Sequence, residues 1–145
     1  MEKKVKLIFS QAIYNYQFSI YNKLTIIQLN NYDLEERTAK FGESVIIFCK
    51  TLKLDTISNP IVNQIIRSST SIGANYMEAN NASSRKDFQN KIFICKKEAQ
   101  ETKHWLRMLA TCFPPRKEEL KFLWTEVQEL TMIFQKIINS LKKKN

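Results

Sequence analysis

Glycine and proline are scarce: the 145-residue chain has two of the first and three of the second. Sandwiches and barrels need Gly and Asn–Gly hairpin turns, so this shortage favours long helices. Histidine is nearly missing, with His104 alone, and a His-based triad or metal centre would need partners the chain does not supply. Cys49, Cys95 and Cys112 are odd in number, far apart and without the paired spacing of a zinc site. No signal-peptide pattern is expected, since Tyr14, Asn15, Tyr16 and Gln17 break the early apolar run. No apolar run comes near about 18 residues, so a reduced, cytoplasmic setting without a membrane partner is expected.

What is present describes a soluble globular protein. Hydrophobic residues make up 43% and charged residues 26%, and this length buries about two thirds of the unfolded surface in one domain. The formal net charge is +9 and the pI about 9.5. Such a field favours polyanions, although many basic proteins have none as a partner.

Residues 1–31 lack a sustained helical period and are rich in Ile, Tyr, Asn and Phe. They are expected to form an appended arm, either partly disordered or docked on a neighbour, ahead of a bundle domain over residues 32–145. The first helix should start near Asp33, where Asp33 and Glu36 make a cap-like pair. Leu34, Phe41, Val45, Phe48 and Leu52 form its core stripe. Asn59 as cap and Pro60 at the first helical position should open the second helix, which runs to about Asn80. Gly73 and Ser69 are small enough for another helix to approach closely. Ser84 and Asp87 cap the third helix, which ends at Pro114 and Pro115. In the fourth, Leu120, Trp124, Val127, Thr131, Phe134, Ile138 and Leu141 follow coiled-coil-like spacing. Leu123, Leu130, Met132, Ile133 and Ile137 widen that apolar surface beyond one bundle core, an argument for contact with another subunit. The expected fold is all-α, an antiparallel up-and-down four-helix bundle.

The second helix carries the least ordinary pattern. Gln64, Arg67, Ser68, Ser71, Asn75 and Glu78 share one arc, beside an apolar arc of Ile61, Ile65, Ile66, Ile72, Tyr76 and Met77. Amides, hydroxyls, one Arg and one Glu suit a hydrogen-bond network better than a merely solvated face. Glu98 and Glu101 of the third helix offer Arg67 a bidentate carboxylate partner, with Gln64, Ser71 and Asn75 completing the network. The network either fixes helix register or a subunit contact, or forms a ligand pocket. The first is favoured, because buried polar groups generally exist paired.

Three segments carry a resemblance: DLEERTAKFGESVIIF, QIIRSSTSIGANYMEAN and KDFQNKIFICKKEAQETKHWL. They are similar to the bacterial four helix bundle protein family, which includes proteins encoded in intervening sequences of large-subunit ribosomal RNA genes and accessory proteins of diversity-generating retroelements. The similarity covers about Tyr32 to Leu109 and extends loosely through the fourth helix. Its most specific run is Arg67, Ser68, Ser71, Ile72, Ala74, Asn75 and Glu78. Many members have Gly where Ala79 stands, so Asn80 or Asn81 is left to take the left-handed conformation that ends the helix. The resemblance implies an antiparallel bundle, commonly a homopentamer, without enzymatic activity. Retroelement relatives imply association with nucleic acid or with a nucleic-acid enzyme.

No catalytic constellation emerges beside it. Ser68 and Ser71 have no neighbouring base, and Glu98 with Glu101 lacks the Glu-x-x-His motifs of a di-metal bundle. A non-enzyme without cofactor or metal is expected. Lys86, Lys96, Lys97, Lys103 and Arg107 make a basic face on the third helix, placed to meet phosphates of RNA or DNA. Against this stands a solvated face that only keeps the protein soluble. Two functions follow: an oligomeric adaptor presenting a basic surface to nucleic acid or a nucleoprotein, or a homo-oligomeric scaffold with protein partners only.

Overall fold

In the structure, a computed structural model, the described residues are Met1, Lys3, Lys4 and residues 34–143. Apart from Met1, Lys3 and Lys4, the expectation for residues 1–31 lies outside them, as does the share of Asp33 in a cap. Helix α1 spans Leu34–Lys50, α2 Ser58–Asn80, α3 Arg85–Cys112 and α4 Lys117–Lys143, with a 3₁₀ turn at Pro114–Arg116. They form an antiparallel up-and-down four-helix bundle.

The helix ends follow from local chemistry. Glu35 and Glu36 occupy the first turn of α1 and Glu118 and Glu119 that of α4, where carboxylates meet the positive end of the helix dipole. The Ser84 hydroxyl accepts from the Asp87 amide at 3.0 Å, capping α3 as its spacing suggests. At α2 the cap is different from the one expected. The Asp55 carboxylate accepts from the Ile57 and Ser58 amides at 3.0 and 2.8 Å, and the Ser58 hydroxyl accepts from the Asp55 amide at 2.9 Å. This reciprocal box starts the turn before Asn59. Pro60 still sits where a missing N–H costs nothing, inside the first turn. At the other end of α2, Asn81 has φ of −106°, and no described non-Gly residue has positive φ. The helix closes instead through the Asn81 side-chain amide, which donates to the Met77 carbonyl at 2.8 Å.

The core is apolar and dense. Phe41, Val45 and Phe48 from α1, Ile65 and Ile72 from α2, Ile92 and Leu106 from α3, and Leu123, Leu130 and Phe134 from α4 are fully buried. Burial of each large side chain contributes about 1.5–3 kcal/mol. The stripe of α4 runs through Leu120, Leu123, Val127, Leu130, Phe134 and Ile138. Trp124, assigned to that stripe by its spacing, is instead 37% exposed: at about 100° per residue it lies about 40° from Leu120 on the side away from Leu123 and Leu130, just past the edge of the buried arc. Leu52 lies beyond the end of α1, where the Thr51 and Leu52 amides turn back onto the Phe48 and Cys49 carbonyls.

Both glycines of the chain stand where α1 meets α2. A Cβ on Gly73 would lie 3.4 Å from the Thr38 backbone, and one on Gly42 would lie 3.7 Å from Thr70. Their absent side chains let these two helices approach closely. The α1–α4 contact is the thinnest of the four between neighbouring helices, and it is where charge enters the bundle.

Candidate nucleic-acid interface

Three polar arrangements decide which surfaces are free to bind. The first lies between α1 and α4. Arg37 donates from Nε to Glu126 Oε1 at 2.7 Å and from Nη2 to Glu126 Oε2 at 2.9 Å, and reaches Glu129 at 2.5 Å. Arg37 and Glu126 are buried, and the carboxylates raise the guanidinium pKa further, Glu126 most. Sequence reasoning missed this pair. The signal was there: Arg37 falls between Leu34 and Phe41 on the core stripe, and Glu126 adjoins Val127 on the facing one.

The second arrangement is built on Arg67. Its Nη1 donates to Glu98 Oε2 at 3.2 Å, its Nη2 to Glu101 Oε1, and its Nε to Gln64 Oε1 at 3.3 Å. The Trp105 indole N–H adds a 3.3 Å bond to Glu101 Oε1. The Arg67 hydrogen bond holds the Glu101 carboxyl below the usual carboxylate range, against an opposing desolvation, with Trp105 helping. Arg67 is nevertheless half exposed, so the cluster lies on the surface, outside the core. Ser71 and Asn75 do not join it. The Ser71 hydroxyl donates to the Arg67 carbonyl at 2.7 Å and the Asn75 amide to the Ser71 carbonyl at 2.8 Å, because a backbone acceptor one turn back is nearer than any side chain. Glu78 pairs with Lys91 of α3. Ser68, grouped by spacing with this polar arc, is fully buried and meets the Thr102 hydroxyl at 2.8 Å. Burial also pushes the Cys49 and Cys95 thiols up to about 12, which leaves neither as a thiolate nucleophile.

The third arrangement is the outer face of α3. At about 100° per residue, Lys86, Lys96, Lys97, Lys103 and Arg107 fall within about 120° of one another. Gln89, Phe93, Gln100 and His104 lie among them, with no carboxylate on that arc. Lys86, Lys97 and Arg107 are exposed, and Lys96 and Lys103 half-buried. The acidic residues Glu98 and Glu101 sit on the other flank, turned to α2 and held by Arg67. Among the described residues, no ion pair involves any of the five cations.

The basic face continues onto α4, which the sequence reading did not include. Lys103 of α3 donates to Gln128 of α4 and lies 4.9 Å from the Trp124 ring centroid. On that side of α4, Lys117, Lys121, Lys136 and Lys143 are exposed and fall within about 100° of one another, with Glu118 the one carboxylate on that arc. Among the described residues, no group of three or more His, Cys, Asp or Glu could hold a metal ion, and no helix is long and apolar enough to cross a membrane.

A four-helix bundle with a basic face on α3 does not by itself define a protein, and comparison with known proteins narrows it. Residues 30–136 match the family model of the 23S rRNA-intervening sequence protein, and the chain belongs to that family. It is also similar to a solved structure from Bacteroides thetaiotaomicron, described as a protein of unknown function from the S23 ribosomal protein family. The two are 34% identical, with 72% of this chain and 96% of that chain covered and a TM-score of 0.66. No curated protein matches. Neither description names an enzymatic activity.

Proposed function

We propose that this chain is a non-enzymatic adaptor that binds nucleic acid, or a nucleoprotein, through the basic flank of α3. One observation carries this reading. Glu98 and Glu101 of α3 are gathered on the α2 side and matched by Arg67, while the adjoining arc holds only cations and neutral residues. An arc that was merely solvated would be expected to mix both signs. Lys86 to Arg107 spans about 32 Å of helix, enough for several phosphate contacts. Such contacts give affinity without reading sequence. In an oligomer, with five subunits as the resemblance implies, the flank would repeat, and individually weak contacts would add.

The test is binding of labelled RNA and DNA across a salt series. Affinity should fall linearly on a log–log plot, by about 0.7 to 0.9 in slope per phosphate neutralised. Lys96→Glu with Lys97→Glu should flatten that slope. An absence of binding at low salt removes the reading.

A second reading has its own support. Met132 is 51% exposed, and Ile46, Phe93, Ile94 and Trp124 are partly exposed as well, more apolar surface than a lone bundle needs. This favours a homo-oligomeric scaffold with protein partners. Light scattering at micromolar concentration tests it, and a monomer there would end it.

A further inference from the structure

Resting on that proposed flank, we infer that its ligand is a single strand, with an unpaired base stacked on Trp124 where α3 and α4 meet. Trp124 leaves 37% of its surface open on a helix that buries Leu120, Leu123, Val127, Leu130 and Phe134. The open part of the ring adds nothing to the core, and exposing it is unfavourable in the free protein. The polar groups beside it suit a nucleotide. Lys103 lies 4.9 Å from its centroid, Lys117 and Lys121 precede it by seven and three residues on the same side of α4, and Gln128 follows one turn on.

The antiparallel register completes the site. Lys103 meets Gln128, and the Arg85 guanidinium donates to the Leu141 carbonyl at 2.7 Å. With these two contacts as fixed points, Arg107 stands near the level of Trp124 and Thr125, and Lys96 near that of Ile133. Trp124 thus lies on the α3–α4 junction beside Lys103 and Arg107, with Lys117 and Lys121 ahead of it along α4. Phe93, 42% exposed, lies on the same flank about 16 Å further along the bundle axis. Cations interleaved with open aromatic rings match a backbone-tracking groove with stacking platforms. A duplex would use only the cations, because its bases are already stacked on one another. A single strand uses both, since every base has a free face and stacking tolerates any sequence.

The experiment uses the full chain, with a fluorescein-labelled oligouridine and an RNA duplex of equal charge as probes, at fixed salt. Trp124→Ala should weaken the single strand by roughly 5- to 150-fold, the span measured for one stacked base, and leave the duplex within about twofold. Trp124→Phe should restore most of the loss, and the oligouridine should quench the intrinsic tryptophan fluorescence of the wild type. Lys96→Gln with Lys97→Gln should weaken both probes alike. Circular dichroism and light scattering on each variant register any change of fold or assembly. If neither probe binds the wild type at low salt, the basic-flank reading fails and this inference with it. If both bind and Trp124→Ala changes neither, or weakens both equally while the assembly falls apart, the stacking inference is overturned and the flank reading stands.

Discussion

Arg37 and Arg67 make the same kind of contact, an arginine reaching two glutamates on a neighbouring helix, under opposite conditions of solvent. The Arg37 side chain is 8% exposed and its main partner Glu126 4%, whereas Arg67 is 48% exposed. Arg37 meets one carboxylate with both arms of its fork and adds Glu129. Arg67 divides its donors among three residues. Desolvation separates the two. A charge taken out of water loses several kcal/mol of hydration, which only a well-formed partner offsets. A half-exposed charge keeps most of its hydration and gains little from its partner. The first cluster therefore stands or falls as a unit, and the second can be dismantled piece by piece.

The largest effect should come from breaking the buried pair on one side. Arg37→Leu leaves Glu126 buried without a partner, and should cost about 3–5 kcal/mol in a urea titration. Because α1 touches α4 only sparsely, the loss should also appear as faster amide exchange in α1 than in α3. Replacing both members, Arg37→Leu with Glu126→Leu, removes the stranded charge. The double variant should recover most of the stability, with a large coupling between the two sites in the mutant cycle. A double variant as unstable as Arg37→Leu alone would show that packing at Arg37, and not charge, holds the α1–α4 contact.

The two clusters also differ in how far they could be read from the sequence. Arg67, Glu98 and Glu101 were visible because they break the usual pattern of a surface helix, with polar groups where Lys and Glu alternate elsewhere. Their exposure was not visible, since helical spacing ranks faces and says nothing of what covers them. Arg37 and Glu126 escaped notice because a search for apolar periodicity passes over a charge lodged within the stripe it traces. Caps fared in the same uneven way. Ser84 with Asp87 stood alone and was legible, whereas Asn59 and Pro60 masked the reciprocal Asp55–Ser58 box just ahead of them. The four helices and their order needed only period, proline and link length, which explains why the fold was the most legible part. The basic arc of α3 could be drawn from spacing alone. Its continuation across Lys103 onto α4 could not, because it depends on which two helices lie side by side.

Arg67→Ala should cost at most about 1 kcal/mol, less as salt rises, since exposed ion pairs are weak and screened. This variant sharpens the contrast most usefully by failing. A loss as large as that of Arg37→Leu would mean that another surface covers Arg67 in solution and turns an exposed cluster into a buried one. Comparing the loss at dilute and concentrated protein would then expose the covering copy, because stability that depends on association depends on concentration.

The smallest effect expected is one of pH. Arg67 holds the Glu101 carboxyl below its ordinary range, so Glu101 binds its proton less readily folded than unfolded. The stability this gives is fully present above the unfolded value of about 4.3, and disappears as pH falls through the lower folded value. A fall from pH 7 to pH 5 should leave the cluster untouched, and the loss should begin only below the usual carboxylate range. Glu101→Gln removes the titrating group, so its urea midpoint should decline less steeply than the wild type's between about pH 4 and pH 3. With Arg67 half in water, the difference should stay well under about 1 kcal/mol. Parallel acid slopes for the two proteins would mean that the Arg67–Glu101 contact is not kept in solution, and the surface cluster would then contribute nothing to the bundle.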